Sequence, residues 1–378
     1  MTDAVKAFMS DHLGVIGMAG CEGLSQRVNS YLCEWRGVAP SQNGSGRKGF
    51  LIPTICPRFG SGEAKGLIKH TIRGYDLFII SDMFNYGVTY RMYDMTVPMS
   101  PDDHFQDLKR VIAACGGKAK RINVIMPMLY EGRQHKRSSR ESLDCALALQ
   151  ELVHMGVENI ITFDAHDPRI QNAIPLNGFE DVKPAYQMLK ALVRHVPDIR
   201  INRDNLMIVS PDEGGMSRSI YYSSVLGVDL GMFYKRRNYS VIVNGRNPIE
   251  AHEYLGNSVE GKDVIIVDDM ISSGDSILDL ANQLRERNAR RVFVFSTFGL
   301  FCEGLANFDD AYAKGSITKV FTTNLIYRSP ELLKRAWYQE VDMSKYIAYI
   351  VDTLNRDTSI SNLLNPVERI TALIQNRR

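Results

Sequence analysis

The chain of 378 residues is 44% hydrophobic and 23% charged, an ordinary globular composition, long enough for two α/β domains rather than one core. A formal net charge of +2 gives no basic surplus of the kind a nucleic-acid partner requires, and no apolar run approaches the roughly 18 residues of a membrane span. The six cysteines, Cys21, Cys33, Cys56, Cys115, Cys145 and Cys302, show neither a C-x-x-C pair nor metal-ligand spacing; with an N-terminus that lacks a basic, apolar leader, this predicts free thiols and a cytoplasmic location.

In chain order, Leu13-Gly14-Val15-Ile16-Gly17-Met18 is a short apolar run, and Leu24, Val28 and Leu32 follow at helical spacing. Residues 38–52 read as a flexible insertion. Gly44 to Gly49 inside it matches a dinucleotide fingerprint. The match is rejected, because no strand precedes it and Phe50-Leu51-Ile52-Pro53 reads as extended rather than as a helix opening. Phe59-Gly60-Ser61-Gly62-Glu63 comes next, then Arg73-Gly74 and a buried strand ending near Ile80. A further strand from Arg121 to Pro127 runs into Tyr130-Glu131-Gly132-Arg133-Gln134-His135-Lys136-Arg137, a basic stretch equally readable as a solvated loop. A helix is predicted over 141–155, closed by Gly156. Strand Asn159 to Phe163 then delivers Asp164-Ala165-His166 to a sheet edge; a lone histidine is more often structural than a ligand, and its place after a strand raises the functional reading.

The second half repeats this rhythm. Leu206 to Val209 leads into Ser210-Pro211-Asp212-Glu213-Gly214-Gly215, whose glycines let a backbone approach an anion. Leu230 to Tyr234 leads into Lys235-Arg236-Arg237, and 238–261 is a polar stretch. Val264-Ile265-Ile266-Val267 reads as a strand buried on both faces, with Asp268 and Asp269 where it should end. Ser272-Ser273-Gly274-Asp275-Ser276 follows, then Ile277, Leu280, Ala281 and Leu284 at helical spacing. Hydroxyls and backbone N–H groups at a helix N-terminus favour a phosphate, and two adjacent carboxylates accept hydrogen bonds from vicinal hydroxyls, so the stretch describes a sugar phosphate. Strands at 292–295 and 319–324 complete the alternation, and the tail from Pro330 reads as mainly helical, with Ile347, Ile350, Val351 and Leu354 on one face. Strands alternating with helices predict parallel sheets covered on both sides. No residue-level repeat relates the halves.

The acidic pair and Ser273-Gly274-Asp275-Ser276 resemble the ribose-phosphate motif of the type I phosphoribosyltransferase fold. Taken in order with Phe59 to Glu63, Arg73-Gly74, Arg133-Gln134, Asp164-Ala165-His166, Ser210 to Gly215, Lys235 and Arg237, and Thr323-Asn324-Leu325-Ile326, the chain resembles the ribose-phosphate diphosphokinase family from about residue 13 to about residue 355. The resemblance implies an α/β protein of two tandem phosphoribosyltransferase type I-like domains. These are 1–165 on the nucleotide side and 166–330 with the ribose-phosphate loop, followed by a mainly helical tail over 331–378. It implies transfer of the diphosphoryl group of ATP to the 1-hydroxyl of ribose 5-phosphate with Mg2+, by a homo-oligomer built on dimers, such as a hexamer. Phe59, Ser61, Glu63, Arg133, Gln134 and His135 would bind ATP, in this family across a subunit boundary. Asp268, Asp269, Ser272, Ser273, Gly274, Asp275 and Ser276 would bind ribose 5-phosphate, and Asp212, Gly214 and Gly215 would meet the diphosphate. Lys235, Arg237 and His166 would be catalytic, and His166, Asp268 and Asp269 would face the metal.

Some positions depart from the family pattern. His135 and Ser138 stand where acids are usual, Ser272 replaces an acid, Asp275 replaces a glycine, and Asn177 replaces an aspartate. An inactive regulatory paralogue and a phosphoribosyltransferase therefore stand as alternatives.

Overall fold

Strands with buried, β-branched cores alternate with one-faced helices to give two mainly parallel sheets, each the centre of its own unit. The computed structural model describes residues 12–38, 49–237 and 249–377; for 235–237, 249–252 and 376 it describes the backbone alone. One unit comprises residues up to Lys183 with Asn324–Tyr327 and Asp342–Asn365, and the other Pro184–Thr323, Arg328–Val341 and Pro366 onward.

The first unit runs β1 (Leu13–Gly17), α1 (Glu22–Arg36), β2 (Thr54–Ile55), β3 (Leu67–Ile68), β4 (Asp76–Ile80), β5 (Thr89–Met92), β6 (Met95–Pro98), α2 (Pro101–Cys115), β7 (Arg121–Ile125), α3 (Asp144–His154), β8 (Asn159–Phe163) and β9 (Gly178–Val182). Its five-stranded sheet has the order β1-β4-β7-β8-β9, parallel throughout. All five residues of β4 are buried, as a strand covered on both faces requires. Leu24, Val28 and Leu32 turn inward on α1 as their spacing predicts. A capping box between Ser100 and Asp103 starts α2.

The second unit adds α4 (Ala185–His195), β10 (Leu206–Ser210), α5 (Met216–Leu226), β11 (Asp229–Arg237), β12 (Ile249–Leu255), β13 (Asp263–Ile271), α6 (Asp275–Glu286), β14 (Arg291–Gly299), α7 (Ala306–Ala313), β15 (Lys319–Thr323) and β16 (Tyr338–Val341). Its sheet order is β12-β11-β10-β13-β14-β15-β16, with β12 antiparallel to β11. The chain closes with α8 (Ser344–Asn355), α9 (Ser361–Leu364) and α10 (Val367–Ile374).

Four expectations change. The first unit extends to Lys183 rather than 165, because β9 pairs in parallel with β8 and completes that sheet. The segment 331–378 is no separate tail: β16 is an edge strand of the second sheet and α10 belongs to that unit, while α8 belongs to the first. There Trp35 stacks on Tyr349 with ring centroids 4.4 Å apart, and Arg36 pairs with Asp352 at 2.7 Å. Residues 39–48 of the expected insertion lie outside the described residues, but Phe50 is buried and its carbonyl accepts from Val15 N–H at 2.8 Å, so the segment from Gly49 is anchored on β1. Part of the polar stretch 238–261 is strand β12; charged residues at its centre hid it. Among the described residues no helix is long and apolar enough to cross a membrane, and all six thiols are free.

Candidate functional site

Strand β13 carries the acidic pair further than the sequence suggests. It stays paired with β14 as far as Ile271↔Gly299, whereas its ladder to β10 stops at Val209↔Ile266. Asp268 and Asp269 therefore lie inside the strand, past the end of β10, at the carboxyl edge where open α/β sheets bind ligands. Asp269 is buried and Asp268 half-buried, and Arg218 Nη1 approaches their Oδ1 atoms at 3.9 and 4.0 Å. Burial, and then the neighbouring charge of Asp269, push the Asp268 carboxyl well above its usual range.

The loop after β13 turns through Gly274 at φ +90°, a left-handed conformation that suits glycine. A Cβ there would lie 2.3 Å from Phe308 Cε2, so no side chain fits. Gly274, the N-cap of α6, has no side chain to cap it; the Asp275 N–H donates to Ser273 Oγ at 3.4 Å, and the first turn presents backbone N–H groups of the kind that receive an anion. Ser272 and Ser273 are half-buried beside it, Ser276 is exposed, and Asp275 is exposed on the first turn, its carboxylate in water. The loop keeps the donors a phosphate needs.

At the end of β10 the Gly214 and Gly215 N–H groups donate to Asp212 Oδ1 at 2.9 and 3.2 Å, so the expected anion-facing donors meet a carboxylate of their own turn. Lys235 and Arg237 lie at the end of β11, opposite β12, as backbone; their side chains are outside the described residues.

In the first unit, Asp164 follows β8 with φ +45° and is buried, and Lys183 Nζ approaches its Oδ1 at 3.3 Å. Asp181 accepts from the Ala165 N–H at 2.9 Å, so β9 fixes the turn that presents His166, which is exposed. The His135 ring lies 5.4 Å from that of His166, and its Nε2 is 3.4 Å from Asp167. Burial lowers the His135 pKa against the pull of Asp167. His135, His166, and the neighbouring Arg133 and Gln134 thus share one region of chain; Arg133 is exposed and the Gln134 amide donates to Ser142 O at 2.9 Å. The Ser138 N–H donates to Glu141 Oε2 at 3.2 Å. Phe59, Ser61 and Glu63 sit on an exposed turn closed by Phe59 N–H to Glu63 O at 2.7 Å, with Ser61 Oγ donating to Glu63 at 2.8 Å.

The sequence reading overlooked Arg218, Asp181 and Lys183. Arg218 left one signal: a cation in the first turn of a helix opposes the macrodipole and calls for a nearby anion. Among the described residues no three His, Cys, Asp or Glu side chains form a metal cage. The adjacent carboxylates of Asp268 and Asp269 are oxygen donors of the kind a hard divalent cation takes.

Residues 13–156 match the family described as the N-terminal domain of ribose phosphate pyrophosphokinase, and residues 242–365 match the phosphoribosyl synthetase-associated domain. The ribose-phosphate pyrophosphokinase of Vibrio parahaemolyticus is 29% identical over 82% of this chain and 90% of its own length. That of Shewanella oneidensis is 29% identical over 83% of this chain and 91% of its own. The crystal structure of phosphoribosylpyrophosphate synthetase from Mycobacterium smegmatis aligns with a TM-score of 0.73 at 20% identity, covering 92% of this chain and 99% of that one, which shows a shared fold.

Proposed function

We propose a reaction on one premise: the chain belongs to the ribose-phosphate pyrophosphokinase family and is an enzyme of that class. The reaction is transfer of the β,γ-diphosphoryl group of ATP to the 1-hydroxyl of ribose 5-phosphate, giving 5-phosphoribosyl 1-diphosphate and AMP. The O1 atom of the sugar attacks the β-phosphorus, the bridge to the α-phosphorus breaks, and the hydroxyl proton is released. The observation that carries this reading is the paired carboxylates of Asp268 and Asp269 at a sheet edge, one loop away from a helix N-terminus that opens on a glycine.

Each group has its work. Ser272, Ser273, Gly274, Asp275 and Ser276 hold the 5-phosphate through hydroxyls and backbone N–H groups. Asp268 and Asp269 accept from the 2- and 3-hydroxyls and so aim the 1-hydroxyl. Phe59, Ser61 and Glu63 line the nucleotide, Arg133, Gln134 and His135 meet its phosphates, and Asp212, Gly214 and Gly215 lie by the diphosphate. Lys235, Arg237 and His166 offset charge that builds in the in-line transition state, where losing one donor costs about 3 kcal/mol in the barrier. Magnesium, with Asp268, Asp269 and His166 as its protein donors, would neutralise phosphate charge. A dimer-based homo-oligomer belongs to the same reading.

The test is incubation of the protein with ATP, magnesium and ribose 5-phosphate. AMP and phosphoribosyl diphosphate appear in equal amounts. Formation of ADP in place of AMP would sink the diphosphoryl assignment, and absence of any product would leave the inactive paralogue.

A further inference from the structure

We propose that Phe308 is a positioning residue for the sugar-phosphate loop, and that Trp337, stacked on it, reports whether the loop is occupied; this rests on the loop's assignment to ribose 5-phosphate.

The loop is held by the segment that follows β14. At the end of β13 the Ile271 carbonyl accepts from the N–H groups of Leu300 and Phe301 at 2.9 and 3.2 Å, and the Ser272 carbonyl accepts from Cys302 N–H at 2.9 Å. Phe301 donates one of these bonds with φ +49°, a conformation rare for an aromatic residue and kept only where neighbours over-determine it. One turn later the left-handed Gly274 meets the ring of Phe308, which is fully buried on α7. The contact leaves no room for a Cβ, so the ring edge itself limits where Gly274 can go.

Phe308 is in turn fixed. It packs edge-on to Phe301 with ring centroids 5.1 Å apart and stacks on Trp337 at 5.3 Å. Trp337 is fully buried, and its Nε1 donates to Asp309 Oδ1 at 2.7 Å, so the indole cannot turn without losing a part-buried hydrogen bond. None of these aromatic residues is among those assigned to the sugar's hydroxyls. Their effect on the reaction passes through the Gly274 backbone, and so through the N–H groups that begin α6. The same loop carries Ser273, half-buried, Ser276, exposed, and those N–H groups, of which that of Asp275 donates to Ser273 Oγ at 3.4 Å. A phosphate drawn onto them shifts Gly274 against the Phe308 ring, and the Phe308–Trp337 stack passes that shift to the indole.

The chain has two tryptophans, so Trp35→Phe leaves Trp337 as the indole that emits. In that background ribose 5-phosphate, and more weakly inorganic phosphate, shift or quench the emission with a saturable midpoint. Phe308→Leu raises KM for ribose 5-phosphate about tenfold, with kcat and the KM for ATP unchanged within about twofold, the pattern of lost sugar binding rather than of a damaged fold. It also moves the emission midpoint by the same factor. Trp337→Leu, which removes the stacking face, gives the same split, and Trp337→Phe restores the parental KM. A parent that turns over normally while its Trp337 emission ignores saturating ribose 5-phosphate overturns the inference, as does a folded Phe308→Leu with unchanged KM. A parent that makes no AMP overturns the assigned reaction instead, and inorganic phosphate then still reads the loop.

Discussion

Asp76 and Asp263 hold the same place in two sheets: each opens a buried strand, and each takes a forked ion pair from the arginine opposite it across a parallel ladder. Arg121 donates to Asp76 at 2.8 and 2.6 Å, and Arg291 to Asp263 at 3.0 and 2.8 Å. The strands around them match as well. The parallel run β1-β4-β7-β8-β9 in one unit has its counterpart in β10-β13-β14-β15-β16 in the other. The two units are one design used twice, and the carboxyl edge of β13 has been fitted with the acidic pair.

The Asp263 side chain is fully buried, and Arg290 also binds it. Burial alone would raise its pKa, but hydrogen bonds from Arg291 and Arg290 outweigh that and hold it below its ordinary value. The folded pKa is thus lower than the unfolded one. The stabilisation is complete above the unfolded value of about 3.9 and is lost as pH falls through the folded value. Asp263→Asn should cost about 2–4 kcal/mol at neutral pH in urea unfolding, the low side of a broken buried pair because both arginines are partly exposed. The variant should also lose part of the parent's steep acid limb below about pH 4; an unaltered limb would clear Asp263 of the role.

Asp76 ties the C-terminal segment back onto the first sheet. Asn355 at the end of α8 donates to its Oδ2 at 2.9 Å, and Arg121 also donates to Leu354 O at 2.9 Å. Asn355→Ala should destabilise by about 1–2 kcal/mol, since it leaves one lone pair of a buried carboxylate unmet. Amide exchange across 344–355 should quicken. If exchange in α8 is unchanged, the helix is held by its packing on α1 alone.

Arg218 faces both members of the acidic pair, so replacing it leaves two carboxylates with less to offset their repulsion. Arg218→Met should raise KM for ribose 5-phosphate by about tenfold or more, an effect of 1.4 kcal/mol or above. Arg218→Lys should fall between, as it keeps the charge but not the fork. Equal KM values for the three proteins would show that the pair orders the sugar without it.

How much of this was legible in the sequence varied with the kind of signal. Strands buried on both faces announce themselves, so Asn159 to Phe163 was placed to the residue, and the Ser-Gly-x-Ser loop declared its own turn. The extent of β13 was hidden because its last four residues, Asp268 to Ile271, include two carboxylates, which local preference assigns to a turn; pairing with β14 overrides it. The same holds for β9 and β16. Each is a short edge strand with charged residues, Glu180 and Asp181 in one and Glu340 in the other, stabilised by a neighbour distant in sequence. Contacts such as Arg218 with Asp268, or Phe308 with Gly274, join residues that no window along the chain brings together.

Cys302 offers a chemical reading of the sugar loop. Its thiol is exposed and lies 3.8 Å from Ser272 Oγ, while Cys21, Cys33, Cys115 and Cys145 are buried. Cys56, half-buried, is held back by burial and the charge of Asp107, which push its thiol up to about 11. Iodoacetamide at pH 8 should therefore label Cys302 first, as read by peptide mass spectrometry. The added group stands against the loop, so labelling should abolish sugar binding, and ribose 5-phosphate should slow it by about tenfold at saturation. ATP alone should protect less, since its contacts are assigned to other residues. Cys302→Ser should keep activity and become insensitive to the reagent; if it loses activity in proportion to the labelled parent, the thiol itself takes part in the site. Rapid labelling that ribose 5-phosphate does not slow would mean the sugar phosphate binds away from this loop, and the assignment of Ser272 to Ser276 would fall with it.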